Sequence, residues 1–265
     1  MGRQPTTGTV RSADGTTIAY ERSGSGPPVV MVDAAGGFRE FGPMRSLAAP
    51  LADGFTVYTY DRRGRGDSGD TLPYAPEREV DDLRALVDAA GGPACLYAFS
   101  SGAALALLAA ARGLPVRRLA LLEPPVVLDA GPPDDGDLAA EIGELVAAGR
   151  RSDAVRHFHA SIGVPEEFTA GLPQHPAWPA VTAAAHTLVY DLTLLGALSP
   201  ADLAGVTAPT LVLDSEGSDA QLREWARGVA EALPAGRHRS LPGGWHGIAE
   251  ADLVPVLADH FAGRN

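Results

Sequence analysis

Lysine is absent. All 21 residues in the Lys+Arg count of this 265-residue chain are Arg, which excludes Schiff-base chemistry, a P-loop Lys and a Lys general base. Cysteine is almost absent too: Cys95 stands alone, so no intramolecular disulfide can form. Its place in the apolar run 93–99 marks it as an inert core thiol. Basic charge is short against 33 acidic residues, leaving a formal net charge of −12. Gripping nucleic-acid phosphates or an anionic membrane surface would need a basic stripe, so neither partner is expected. No stretch approaches the ~18 apolar residues of a membrane span. Residues 1–10 are polar and hold no apolar leader core, and a cytoplasmic location is expected. The Lys-free, Ala/Gly/Pro/Arg-rich usage reads as a GC-rich bacterial coding sequence, in which the formal myristoylation match of Met1-Gly2 and Thr6 is chance.

What remains is ordinary globular material, 45% hydrophobic and 20% charged, enough to bury a core without staples. Short β-type runs at residues 17–22, 28–32, 55–60, 94–98 and 119–122 alternate with helix-period stretches at 44–52, 77–90 and 102–112. Near-continuous apolar strands separated by helices imply a mostly parallel, doubly wound α/β sheet. The texture changes after Glu123. A Pro/Asp/Gly-rich break at 131–137 is followed by helix-like segments at 138–150, 153–162, 165–170 and 177–195. The alternation then resumes with strand 210–214, helix 220–233, strand 237–241 and a last helix 251–262. The expected organisation is an α/β core over 1–124 and 201–265, interrupted by a helical cap over 125–200.

The segment Leu96-Tyr97-Ala98-Phe99-Ser100-Ser101-Gly102-Ala103 carries most information. An apolar strand runs into an Ala-rich helix through a sharp turn, and such a turn needs small residues two before and two after its apex. Ser100 has Ala98 and Gly102 in those places, whereas Ser101 would have Phe99 and Ala103. Ser100 is therefore the nucleophile candidate, with simple helix capping by the Ser pair as the alternative. The six remaining histidines outside the loop at His246 offer little. His157 and His159 are two apart on a helix and face apart, which makes a poor metal pair. His175 and His186 fall on the cap, His238 within a strand and His260 on the last helix.

This chain resembles the α/β-hydrolase fold superfamily, in its capped esterase/lipase-like group. Asp61-Arg62-Arg63-Gly64-Arg65-Gly66-Asp67-Ser68 is similar to the D-x-R-G-x-G-x-S signature that follows the fourth strand of that fold. The same residues also read as a G-x-G-x-x-G and an Arg-Gly-Asp, both matches of low specificity. The loop Pro242-Gly243-Gly244-Trp245-His246-Gly247 resembles the family's catalytic His loop and makes His246 the general base. After strand 28–32 stands Asp33-Ala34-Ala35-Gly36-Gly37, where relatives carry His-Gly-X. Aligned by strand end, the oxyanion donors would be the N–H groups of Ala35 and Ser101. Asp33 either caps a turn there or sets a carboxylate beside the developing charge.

The acid departs from the family pattern. The resemblance implies an Asp at position 218, which is Ser218 here, flanked by Glu216 and Asp219. Glu123, followed by two prolines at the end of strand 119–122, is similar to the acid of a minority of lipases in this fold. It is preferred over Glu216 and Asp219. Phe158, Phe168, Trp178 and Tyr190 of the cap are expected to line a mostly apolar pocket, with Asp33 nearby. The implied reaction is cleavage of a small, mostly apolar ester, lactone or thioester through an acyl-serine, by a monomer or homodimer that needs neither organic cofactor nor metal. A non-hydrolytic enzyme on the same scaffold (cyclase, lyase or perhydrolase) and a binding protein with lost catalysis stay open, because fold alone does not decide function.

Overall fold

The computed structural model describes residues 5–128 and 135–264. Eight strands form one sheet: β1 (Thr6–Arg11), β2 (Thr17–Gly24), β3 (Pro28–Val32), β4 (Thr56–Tyr60), β5 (Ala94–Phe99), β6 (Val116–Leu122), β7 (Thr210–Ser215) and β8 (Gly236–Leu241). Their spatial order is β1-β2-β4-β3-β5-β6-β7-β8. β3 to β8 pair in parallel, whereas β2 runs antiparallel to both β1 and β4. β1 lies where the sequence announces no strand. It is a solvent-facing edge strand with no buried residue, held by backbone pairing to β2, so it carries no alternating apolar signal.

Helices α1 (Met44–Leu51), α2 (Pro76–Ala89) and α3 (Ser101–Ala111) follow β3, β4 and β5. Between β6 and β7 come α4 (Asp135–Ala147), α5 (Arg151–Ser161), α6 (Glu166–Thr169), a 3-10 turn (Leu172–Gln174), α7 (Trp178–Ala183), α8 (Thr187–Ala197) and α9 (Pro200–Leu203). α10 (Ala220–Ala232) and α11 (Glu250–Phe261) complete the chain. The single helix expected over 177–195 is two, because a turn at Ala184, Ala185 and His186 separates α7 from α8. Most of the expected break at 131–137 lies outside the described residues, and Asp135 already opens α4.

Alternating side chains of the central strands feed two cores. Val30, Val32, Leu96 and Ala98 pack with α2, α3 and α10 on one face, while Val29, Met31, Cys95 and Tyr97 pack with α1 and α11 on the other. Burial pushes the Cys95 thiol up to about 11, consistent with an unreactive core residue. The inserted helices bury a third cluster, in which Ile142, Phe158, Val181, Leu188 and Leu192 meet Phe38 from the loop after β3. No helix among the described residues is long and apolar enough to cross a membrane.

The motif after β4 is a structural knot. Asp61 accepts from the N–H groups of Arg39 (2.8 Å) and Asp67 (2.9 Å), and a Cβ on Gly66 would fall 2.3 Å from its carboxylate. The buried Arg63 pairs twice with Asp82, at 2.8 Å each, and once with Asp14 at 2.9 Å. Gly66 therefore makes room for a carboxylate, and Gly64 for the Thr187 methyl group, 2.8 Å from where its Cβ would stand.

Candidate active site

The parallel ladder carries the key residues to one end of the sheet. Beyond the paired strands, Ser100 N–H donates to the Leu122 carbonyl and Glu123 N–H to the Leu213 carbonyl, each at 2.9 Å. Ser100 and Glu123 thus stand on adjacent strand ends, in the crevice at the carboxyl edge where parallel sheets take ligands. Ser100 is the apex between β5 and α3, with φ 54° and ψ −125°. A Cβ on Gly102 would lie 2.5 Å from the Asp33 carbonyl oxygen and 2.6 Å from that of Val32. The first turn of α3 therefore seats against the end of β3, and only glycine fits.

Three non-glycine residues among those described have positive φ: Ser100, Glu123 (45°) and His246 (50°). Such backbone is costly and persists where the surroundings over-determine it, commonly at functional sites. His246 sits between two residue pairs, β9 (Gly243–Gly244) and β10 (Gly247–Ile248), that form a small hairpin. Its ring Nδ1 is in hydrogen-bond contact with Glu123 Oε2, and Glu123 Oε1 accepts from Ser215 N–H at 2.7 Å. Glu123 is fully buried. The Phe99 ring lies 4.6 Å from that of His246, centroid to centroid, and packs one side of it.

The other carboxylates considered for the acid are engaged elsewhere or open to solvent. Asp219 caps α10, accepting from Leu222 N–H at 2.9 Å, and Glu216 is exposed. Ser218, at the position where the family resemblance implies an acid, accepts from His246 N–H at 2.8 Å and so fixes the loop through its backbone. Ser215 Oγ adds a bond to the Gly244 carbonyl at 2.6 Å.

Asp33 is buried under the loop that follows β3. Its Oδ1 accepts from Ala34 N–H at 2.8 Å, whereas its Oδ2 has no hydrogen-bond partner among the described residues. Burial pushes its pKa up to about 7 against the pull of Arg65 and Arg62. Gly37 and Gly42 close over the carboxylate, since a Cβ on either would approach it to 2.7 Å or less.

Sequence reasoning missed a buried ion cluster that joins α8 to the elbow. Asp191 accepts from Arg62 Nη1 (2.7 Å), Arg65 Nη2 (2.6 Å) and Ser101 Oγ (2.8 Å). Arg62 also grips Glu79 through two bonds of 2.7 and 2.8 Å. Burial would raise Asp191, yet Arg65 and Arg62 hold it below the usual carboxylate range. An Asp in an apolar helix, 91 positions from Ser100, sends no local signal of this contact. The Arg pair at 62 and 65 was visible only as part of the motif.

Ser100, Ser101, Ala35 and His246 open on one cavity of about 810 Å³. Its walls are largely apolar, with Val126, Leu138, Phe158, Ile162, Leu192 and Trp225 among them; among the described residues Asp191 and Asp219 are its carboxylates and no Arg reaches it. Of the expected pocket residues, Phe158 lines this cavity. Trp178 packs within the apolar cluster of the insertion, and Tyr190 stacks on Tyr74 at 4.0 Å with its hydroxyl donating to Asp70 at 2.8 Å. Asp33 lies behind the loop, and Phe168 is half exposed against Trp245 at 5.5 Å. Among the described residues no group of three or more His, Cys, Asp or Glu side chains could hold a metal ion.

Comparison with known proteins shows the family of the chain. A profile of the alpha/beta hydrolase family matches residues 23–258. The crystal structure of an alpha/beta hydrolase from Sphaerobacter thermophilus is 47% identical and superposes with a TM-score of 0.87, covering 96% of this chain and all of that one. A thermophilic esterase from Thermogutta terrifontis shares the fold at 23% identity and a TM-score of 0.70, over 92% of each chain. An uncharacterised hydrolase of Bacillus subtilis, YraK, is 36% identical over 97 residues. That match spans about a third of either chain, 35% of each.

Proposed function

Because the chain belongs to the alpha/beta hydrolase family, we propose that it cleaves a small, mostly apolar ester, lactone or thioester through an acyl-serine intermediate. The observation that carries this reading is the contact between buried Glu123 and His246 Nδ1, at the cavity on which Ser100 also opens. In this mechanism the Ser100 hydroxyl attacks the substrate carbonyl carbon and His246 takes the hydroxyl proton. Collapse of the tetrahedral intermediate expels the alcohol or thiol, which receives that proton from the imidazolium. Water, activated by the same imidazole, then releases the acid and frees Ser100. Glu123 accepts from Nδ1–H, which holds the tautomer and stabilises the imidazolium. Backbone N–H groups of Ala35 and Ser101 would receive the oxyanion, each worth ~3 kcal/mol if well aimed.

The walls support this substrate class. A largely apolar cavity, lined by no Arg among the described residues, favours an uncharged acyl group over an anionic one. In this reading the helices of 125–200 act as a cap over the core of 1–124 and 201–265, supplying Leu138, Phe158, Ile162 and Leu192 to the pocket.

Fluorophosphonate labelling tests the reading. The folded wild type should be labelled at Ser100 and should hydrolyse p-nitrophenyl butyrate, and Ser100→Ala should lose both. A folded wild type that resists the label and leaves short-chain esters intact would point to a receptor or to non-hydrolytic chemistry.

A further inference from the structure

We infer that Asp191 and Arg65 are positioning residues for the oxyanion hole: one carboxylate from the inserted α8 organises both of its backbone donors. The inference rests on the serine-hydrolase reading above.

The first donor is controlled through its own peptide group. Leu72–Pro73 is the cis peptide bond among the described residues, so the Ala34–Ala35 peptide is trans, and its carbonyl and N–H point in opposite directions. Arg65 Nη1 donates to that carbonyl at 2.8 Å, and Gly37 N–H adds a second bond at 3.1 Å. The Ala35 N–H has no acceptor among the described residues, and Ala35 lines the cavity. A charged donor on the carbonyl draws electron density from the amide and so strengthens the opposite N–H as a donor. Arg65 is buried, and it is aimed by Asp191 at 2.6 Å and by Thr187 Oγ1, which accepts from its Nε at 3.1 Å.

The second donor is tied to the same carboxylate. Ser101 Oγ donates to Asp191 Oδ1 at 2.8 Å and accepts from Arg62 Nη1 at 3.2 Å. Ser101 is the first residue of α3, so its N–H has no acceptor within the helix. Asp191 and Glu79 offset the charges of Arg62 and Arg65, so the cluster can be buried beside the reacting carbonyl without adding net charge there. A purely structural clamp between α8 and the core would need no bond to the Ala34 carbonyl.

The test uses Arg65→Gln and Asp191→Asn in the full chain, each titrated for active sites with a fluorophosphonate. Each is assayed on p-nitrophenyl butyrate and against two inhibitors. An aryl trifluoromethyl ketone forms an oxyanion on Ser100, and p-nitrophenyl butyl ether occupies the site without one. For both variants, kcat per titrated site and affinity for the ketone should fall together, on the order of 30-fold, less than the loss of a donor outright. KM and ether affinity should stay within ~3-fold, as expected for an interaction made only in the transition state. Unchanged kcat per titrated site, or equal losses for ketone and ether, would overturn the inference. Should Arg65→Gln fail to fold, Asp191→Asn, which keeps both guanidiniums and the side-chain shape, decides by the same criteria. A wild type that cannot be titrated removes the serine-hydrolase reading itself. A titratable, active wild type beside unaffected variants removes only the present inference.

Discussion

At the residue scale the proposed acid carries the sharpest prediction. Glu123 is held by the β7 backbone and faces His246, while Asp219 spends its carboxylate on the first turn of α10. Glu123→Gln is therefore expected to lower kcat by at least ~100-fold with little change in KM. Glu216→Gln and Asp219→Asn should remain within ~10-fold of wild type; the reverse ranking in steady-state assays would return the acid to the later strand. Asp33 makes a different prediction. Burial raises it from 3.8 to about 7, so the folded chain binds more protons than the unfolded one between those values. Its stabilising contribution is full below the lower value and is lost as pH climbs through the upper one. Asp33→Asn should accordingly gain melting temperature over wild type at pH 8 and little at pH 4. Asp82, raised to about 6 by burial, would keep part of the wild-type slope in that variant.

At the element scale, the site depends on how tightly backbone meets backbone. The first turn of α3 touches the end of β3 at Gly102, and the His loop closes on itself at Gly243, where a Cβ would fall 2.2 Å from the Gly247 carbonyl oxygen. Neither contact has a flexible side chain that could give way. Gly102→Ala is expected to destabilise by about 1–3 kcal/mol through forced backbone shift and to lower the rate of Ser100 labelling. Denaturant melts read the first effect and fluorophosphonate kinetics the second. Wild-type labelling at normal stability would show that the elbow tolerates the extra carbon. Asp219→Ala, by contrast, should cost only the ~1 kcal/mol of a lost N-cap.

At the scale of the whole molecule, the contacts between the insertion and the core include the apolar cavity and the buried ion cluster around Asp191. In the proposed function the first would set which acyl chains fit; the second joins α8 to the elbow. Ile162, 48% exposed at the cavity wall, can be shortened with little loss of packing. Ile162→Ala should shift the ratio of p-nitrophenyl octanoate to butyrate turnover several-fold, with stability changed by no more than about 0.5 kcal/mol. Trp178→Ala, which removes a ring from the insertion's own cluster, should lower stability more than it alters that ratio. The opposite pattern in chain-length profiles would place the acyl pocket elsewhere.

Local pattern in the sequence determined the alternating strands and helices, the interruption after β6, and the turn at Ser100. Each is written in neighbouring residues: apolar runs of strand length, an Ala-rich helix, and small residues two positions either side of the apex. Family resemblance added the loop at His246 and the carboxylate at Glu123. Edge strand β1 stayed silent because backbone pairing holds it and hydrophobic burial does not. The choice of Ser218 as a backbone anchor for His246, the place of Trp178 and Tyr190 away from the cavity, and the bond from Arg65 to the Ala34 carbonyl were decided by tertiary structure. Asp191 depends on it most. A carboxylate reads as solvated wherever its surroundings are unknown, and only folding brings it against two guanidiniums and a hydroxyl, from 126 and 90 positions away for Arg65 and Ser101.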